Sequence, residues 1–88
     1  MKTIYKYPLQ MIDRQIIWIP KGYKPLSVQI QNDEPQLWAM VDTDSAKVEC
    51  TIEILGTGNP LPNTGAREFI DTFQYGPLVF HVFEYLGL

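Results

Sequence analysis

The residues of this chain best suited to chemistry are those able to hold a small anion. Arg14 carries a planar guanidinium group that suits bidentate contact with phosphate or carboxylate, and Lys21 follows in the same basic segment. The alternative is a surface ion pair between Arg14 and its neighbour Asp13, which would contribute little energy. The sequence predicts Arg14 and Lys21 as anion-binding residues, in competition with that local pair.

The basic residues are concentrated at one end of the chain. The first 24 residues contain five of the seven Lys and Arg residues and one acid, so they carry +4, whereas the rest carries −7. A locally positive segment can receive a small anion or an acidic partner, even in a chain of net charge −3. The pI near 4.9 argues against binding duplex DNA. The five basic residues are Lys2, Lys6, Arg14, Lys21 and Lys24.

The longest stretch without a strand pattern is the ten residues from Gly56 to Gly65. Its glycines allow backbone N–H groups to converge on an anion, and Thr57 and Asn59 add neutral donors. The stretch has no lysine and no helix pattern after it, so it is not a Walker-type loop. We predict either a ligand contact through Thr57 and Asn59 or a plain connection between strands.

Two tryptophans and one histidine are further candidates for contact with a ligand. Trp38, or alternatively Trp18, could stack on a nucleobase, although packing in a small core explains either residue equally well. His81 lies between Phe80 and Val82, a setting typical of a histidine in a core or an interface. We keep Trp38 and His81 as candidate ligand-binding residues.

No group of residues in the sequence predicts catalysis. A thiol–imidazole pair of Cys50 and His81 is the nearest approach, but Cys50 falls on the apolar side of an alternating segment, where a thiol packs in its protonated form. One Cys and one His cannot supply a four-ligand zinc site from one chain. We therefore expect a protein that is not an enzyme and that uses no metal and no cofactor.

Size and composition predict one folded domain over residues 1–88. With 45% hydrophobic and 12% aromatic residues, the chain is too apolar for disorder, but its core is modest and would gain from oligomerisation. The single cysteine favours a reducing, cytoplasmic setting. The sequence shows neither a signal-peptide pattern nor an apolar stretch long enough to span a membrane.

Alternation of apolar and polar residues predicts an all-β fold, a small antiparallel sandwich or open barrel of six or seven short strands. Val48, Cys50, Ile52 and Ile54 form the clearest alternating set, while residues 16–19 and 37–41 are apolar on both sides, which predicts cover by other elements or by another subunit. Residues 69–74 are ambiguous between helix and strand and are assigned as strand. The other strands are predicted at residues 3–7 (an edge strand), 26–31 (Leu26, Val28 and Ile30 facing one side) and 78–85 (a central strand).

Several segments resemble, in the same order, a widespread family of small phage-encoded proteins that is mostly catalogued as a domain of unknown function. They are Ile4–Tyr7, Asp13–Gln15, Leu26–Gln29, Leu37–Asp42, Gly56–Pro60 and Phe80–Glu84. The resemblance extends to the phage anti-CBASS sponges, which oligomerise and sequester the cyclic nucleotide signals of bacterial defence. No ligand contact of the sponges is carried over to this sequence.

That resemblance implies an immune-evasion protein acting in the cytoplasm of an infected bacterial host. It would be a homo-oligomer that binds a cyclic di- or trinucleotide at a subunit interface, with Arg14 and nearby lysines on phosphate and an aromatic residue on a base. The strand around Trp38 and the tail from Leu86 to Leu88 offer surface for oligomerisation. The alternatives are an inhibitor that docks an acidic strand face, built from the acids of positions 42–53, on a basic host protein, and a structural or accessory phage protein.

Overall fold

The structure, a computed structural model, describes residues 1–87; Leu88, the end of the predicted C-terminal tail, lies outside them. Seven strands form two antiparallel sheets, which confirms the all-β fold and the sandwich. Residues 69–74 belong to a strand, as predicted. The strands are β1 (Lys2–Pro8), β2 (Arg14–Pro20), β3 (Lys24–Gln31), β4 (Glu34–Asp42), β5 (Lys47–Gly56), β6 (Ala66–Tyr75) and β7 (Leu78–Gly87).

The two sheets have the strand orders β1-β4-β3 and β2-β5-β7-β6. The predictions that β1 is an edge strand and that β7 is central are therefore confirmed. The edge strand β3 lies beside the edge strand β6, where the backbone N–H of Val28 donates to the Asp71 carboxylate at 2.9 Å. This bond gives a partner to one N–H of an otherwise unpaired edge.

The core lies between the sheets and is built from alternate residues of the central strands. Cys50, Ile52 and Ile54 of β5 point inward, as the alternation of residues 47–54 predicts. Opposite them, β4 contributes Leu37 and Ala39, which are both fully buried. The other buried apolar residues are Leu9, Ile19, Val28, Val41, Phe73 and Val82.

The predicted inward position of Leu26 is wrong. Pairing between β3 and β4 shifts between Pro25 and Ser27, so that Pro25, and not Leu26, lies opposite the buried Ala39. The bulge inserts one extra residue and leaves Leu26 43% exposed. A period-2 pattern carries no signal for such a shift, because the partner strand decides it.

Each sheet has one outward face that the rest of the described chain leaves open. On the three-stranded sheet, Trp38 is half-buried and Met40 is 38% exposed, and on the four-stranded sheet Trp18 is 58% exposed. Cover of these strands by other elements of the chain was therefore a wrong expectation; cover by another subunit stays a prediction. We call the outward side chains Lys2, Ile4, Lys6, Lys24, Trp38 and Met40 the Trp38 face, and Ile16, Trp18, Thr51, Phe69, Phe83 and Tyr85 the Trp18 face.

Candidate functional site

The Trp38 face combines an aromatic ring with basic side chains. Lys6 of β1 lies directly opposite Trp38 of β4, and Lys24 of β3 lies opposite Met40, two residues further along β4. Directly opposite residues of an antiparallel pair project from the same face with Cβ atoms about 5 Å apart, and diagonal neighbours are about 7 to 8 Å apart. Lys6 and Lys24 therefore lie on the two strands that flank Trp38, on the same open sheet surface.

The lysines of the Trp38 face differ in how far their charge is compensated. Lys2 lies opposite Asp42, whereas Lys6 donates from Nζ to Oε1 of the neutral Gln31 at 2.7 Å. Because β1 and β3 flank β4, that hydrogen bond reaches across the central strand. Among residues 1–87, neither Lys6 nor Lys24 forms an ion pair with a carboxylate. Their positive charges thus remain available to an anion.

Arg14 is placed differently from what the sequence predicts. Its guanidinium donates to Glu53 Oε2 from Nη2 at 2.7 Å and from Nε at 3.1 Å, so its ion-pair partner is on β5 and is not the neighbouring Asp13. Arg67 Nε donates to the other oxygen of Glu53 at 2.5 Å. Both guanidinium groups also lie over the ring of Tyr85, at 4.3 and 5.1 Å from its centroid. The fork of Arg14 is therefore already occupied by a carboxylate.

The pKa of Glu53 reflects this arrangement. Partial burial by itself would raise the pKa, but the hydrogen bonds from Arg67 and Arg14 outweigh it and lower the pKa below its usual range. The side chain of Arg67 is only 8% exposed and that of Glu53 15%, whereas Arg14 is 52% exposed. The pair of Glu53 with Arg67 is thus structural, and Arg14 adds a more solvated second cation.

Three predicted ligand-binding residues come together at the end of β5. His81 lies between two threonine hydroxyls, with Nε2 at 2.7 Å from Thr57 Oγ1 and Nδ1 at 3.0 Å from Thr72 Oγ1. Thr57 and Asn59 line a neighbouring cleft of about 400 Å³ whose other walls are mainly apolar. No Lys or Arg lines this cleft. The grouping of Thr57, Asn59 and His81 is therefore polar but brings no fixed positive charge to a phosphate.

The six predicted residues do not form one site within a single chain. Trp38 points outward from the three-stranded sheet, whereas Arg14 and His81 lie on the four-stranded sheet. Lys21 lies in the turn after β2, where its backbone N–H donates to Ala46 O at 2.8 Å. A ligand that touches Trp38 would meet Lys6 and Lys24 and would not meet Arg14.

A small polar cluster lies on the inner side of the four-stranded sheet. Cys50 is 1% exposed, and its burial raises the pKa of the thiol to about 11. Burial first, and then hydrogen bonds with Cys50 and Glu84, raise the pKa of Tyr23, whose hydroxyl donates to the Glu84 carboxylate. Since His81 lies on the opposite side of the sheet, the thiol–imidazole pair considered from the sequence does not form.

Sequence reasoning missed the Glu53, Arg67 and Tyr85 cluster. Arg67 stands in the acidic part of the chain and gives no pattern of its own, because the contact depends on which strands pair. Within residues 1–87, no three His, Cys, Asp or Glu side chains are grouped as a metal site requires. The same residues contain no helix that is long and apolar enough to cross a bilayer.

The fold and its two open faces define a small antiparallel β-sandwich with surfaces suited to binding. The chain belongs to the family described as a domain of unknown function, DUF7352, whose sequence model matches residues 1–87. No curated protein and no solved structure matches the chain. Membership of an uncharacterised family agrees with the resemblance, while phage origin and cyclic-nucleotide binding stay predictions.

Proposed function

We propose that this protein is a phage-encoded immune-evasion protein that binds and sequesters a cyclic oligonucleotide second messenger on the Trp38 face, without altering it chemically. The observation that supports this function is the position of Lys6 directly opposite Trp38, with Lys24 one row further on the same face. A cyclic oligonucleotide alternates bases with phosphates. An aromatic ring with two lysines whose Cβ atoms lie about 5 to 8 Å from its own matches that alternation.

Base stacking on Trp38 and the charges of Lys6 and Lys24 are the interactions expected to contribute to the binding free energy. Stacking of one base on an aromatic side chain contributes about 1 to 3 kcal/mol, and each ammonium adds a charge-assisted contact to phosphate. Sequestration needs stoichiometric binding and no catalytic group. Binding on the Trp38 face also leaves the ion pair of Arg14 with Glu53 undisturbed. We place this activity in the cytoplasm of the infected host.

The alternative of an acidic face that docks on a basic host protein loses support from the structure. Glu53, one of the acids of that predicted face, is compensated by both Arg14 and Arg67. Glu49 of the same strand face has no ion-pair partner among the described residues. Asp42 and Asp44, the other two acids of the predicted face, share the ammonium group of Met1. The four carboxylates thus meet three cations, which leaves little net charge for an acidic docking surface.

Calorimetric titration with a panel of cyclic di- and trinucleotides tests the proposed function. At least one ligand should bind with one site per chain, and Trp38→Leu should weaken its binding about 5- to 150-fold, the equivalent of one lost stacking contact. Trp18→Leu is the matched control, because Trp18 is the more exposed tryptophan and lies on the other sheet.

Charge variants test the same face independently. Lys6→Gln and Lys24→Gln should each weaken binding and make it less sensitive to salt, whereas Lys47→Gln, on β5, should change neither. The proposal fails if no cyclic nucleotide produces heat, or if the Trp18 and Trp38 variants lose affinity equally.

A further inference from the structure

The Trp18 face exposes large apolar side chains on β2 and on β6, on either side of the cluster of Arg14, Glu53 and Arg67. Ile16, Trp18 and Phe69 are 53%, 58% and 60% exposed. Strand pairing forms two neighbouring rows across the sheet: Ile16, Thr51, Tyr85 and Arg67 in one, and Arg14, Glu53, Phe83 and Phe69 in the next. Phe69 and Phe83 pack edge to face with ring centroids 5.6 Å apart. Large apolar side chains exposed together on one sheet face mark an interface.

Charge decides which of the two open faces can be buried against a second copy of this chain. Within the Trp18 face, the carboxylate of Glu53 already holds the guanidinium groups of Arg14 and Arg67, so burial would leave no carboxylate of this cluster without its cation. The Trp38 face carries Lys6 and Lys24 without carboxylate partners among residues 1–87. Two such faces would repel each other.

The charges around the Trp18 face are also self-complementary. The cluster of Arg14, Glu53 and Arg67 has a net charge of +1, and Glu49, which lies opposite Trp18, carries −1. Glu49 and Glu53 are separated along β5 by about 13 Å, with Thr51 midway between them. A two-fold axis that lies between the two faces, perpendicular to β5 and close to Thr51, would therefore place Glu49 of each copy over the positive cluster of the other.

We propose that this chain forms a two-fold symmetric homodimer in which the Trp18 faces of two copies pack together with Thr51 near the axis. The molecule is flat, with extents of 40 × 34 × 16 Å, and a broad side of that outline can accommodate the roughly 800 Å² per partner of a stable interface. Each Trp38 face remains on the outside. The dimer consequently presents two separate Trp38 faces, and it does not depend on what they bind.

Light scattering over a range of protein concentrations tests the dimer. The wild-type chain should have twice its 10.1 kDa mass, and Trp18→Glu and Phe69→Glu should each raise the dimer dissociation constant at least about 30-fold. Ile4→Glu is the matched control and should leave the dimer intact, since Ile4 is 55% exposed but lies on the other face. Circular dichroism of each variant establishes that it is folded.

Cross-linking tests the position of the axis without introducing a buried charge. Packed sheets lie about 10 Å apart, so a short bis-maleimide should join Thr51→Cys chains into dimers. The same reagent should not join Ser27→Cys chains, whose cysteine would lie on the Trp38 face. The wild-type chain serves as the blank, because Cys50 is buried.

The two proposals can fail separately. A wild-type chain that stays monomeric, a dimer that survives both glutamate substitutions, or cross-linking through Ser27→Cys in place of Thr51→Cys would each overturn the homodimer. A dimer that cross-links through Thr51→Cys but binds no cyclic nucleotide would overturn only the proposed function.

Discussion

Glu53→Gln should destabilise the fold because it removes the carboxylate that compensates a buried arginine. Arg67 is 8% exposed and lies 2.5 Å from Glu53. Loss of one partner from a buried pair costs about 3 to 5 kcal/mol, but Arg67 keeps a 2.8 Å hydrogen bond to Thr64 O and its contact with Tyr85. We therefore expect a loss of about 2 to 3 kcal/mol, to which the more exposed Arg14 contributes less than about 1 kcal/mol.

Urea and thermal unfolding at neutral pH measure this loss. For a domain of this size, about 2 to 3 kcal/mol corresponds to a melting temperature roughly 10 to 20 °C lower. Glu34→Gln is the matched control, since Glu34 is exposed and its loss should change stability by less than about 0.5 kcal/mol. Working at low protein concentration keeps any dimer from adding to the stability. Equal losses in the two variants would refute the reasoning.

The pH dependence gives a second measure of the same pair. Because the pKa of Glu53 is lowered in the folded state, its stabilisation is fully present above the unfolded-chain value of about 4.3 and is lost as pH falls through the lower folded value. Glu53→Gln should therefore lose less stability between neutral and acidic pH than the wild type does. Acid limbs of equal steepness would contradict the assignment of the pair to Glu53.

Two further predictions concern the core and the long loop. The pKa of Cys50 is about 11 in the folded protein and about 8.5 in an unfolded chain, so the free energy of unfolding should fall by up to about 1.4 kcal/mol per pH unit as pH rises above about 9. Urea unfolding should find this slope in the wild type and no such fall between about pH 9 and 10 in Cys50→Ala. Above that range, the raised pKa of Tyr23 should lower the stability of both proteins. Gly65→Ala should lower the free energy of unfolding by about 1 to 3 kcal/mol more than Gly58→Ala does. Both glycines have φ of +89°, but only at Gly65 would a Cβ meet Tyr85, at 2.5 Å. Equal urea midpoints for the two variants would contradict the steric argument.

The strands were predictable from the sequence where one side is buried and the other exposed, because apolar and polar residues then alternate. The alternation of residues 47–54 located β5 and its inward residues, and the β-branched and aromatic run of residues 78–85 located β7. The position of Leu26 was not predictable, because its bulge is set by pairing with β4. The expectation that other elements of the chain cover Ile16 and Trp18 was wrong for a related reason. A strand that is apolar on both sides indicates that both sides can be buried, but it does not indicate what covers the second side.

The candidate site was predictable only as a set of residue types. Arg14 was predicted as an anion-binding residue, but its partner Glu53 lies 39 positions later and meets it through the register of β2 and β5. Lys6 and Lys24 surround Trp38 because β1 and β3 both pair with β4, which separates residues close in sequence and joins distant ones. Register and strand order are long-range properties, and no local pattern contains them.

The charge asymmetry of the chain takes on a different meaning once the strands are placed. The basic first segment divides between the sheets: Lys2, Lys6 and Lys24 go to the Trp38 face, whereas Arg14 joins Glu53 on the four-stranded sheet. A face with uncompensated lysines attracts an anion and resists packing on its own copy. The Trp18 face carries Glu49 and the net positive cluster of Arg14, Glu53 and Arg67, which are complementary between two copies. Association through it leaves the lysines and Trp38 exposed to a ligand.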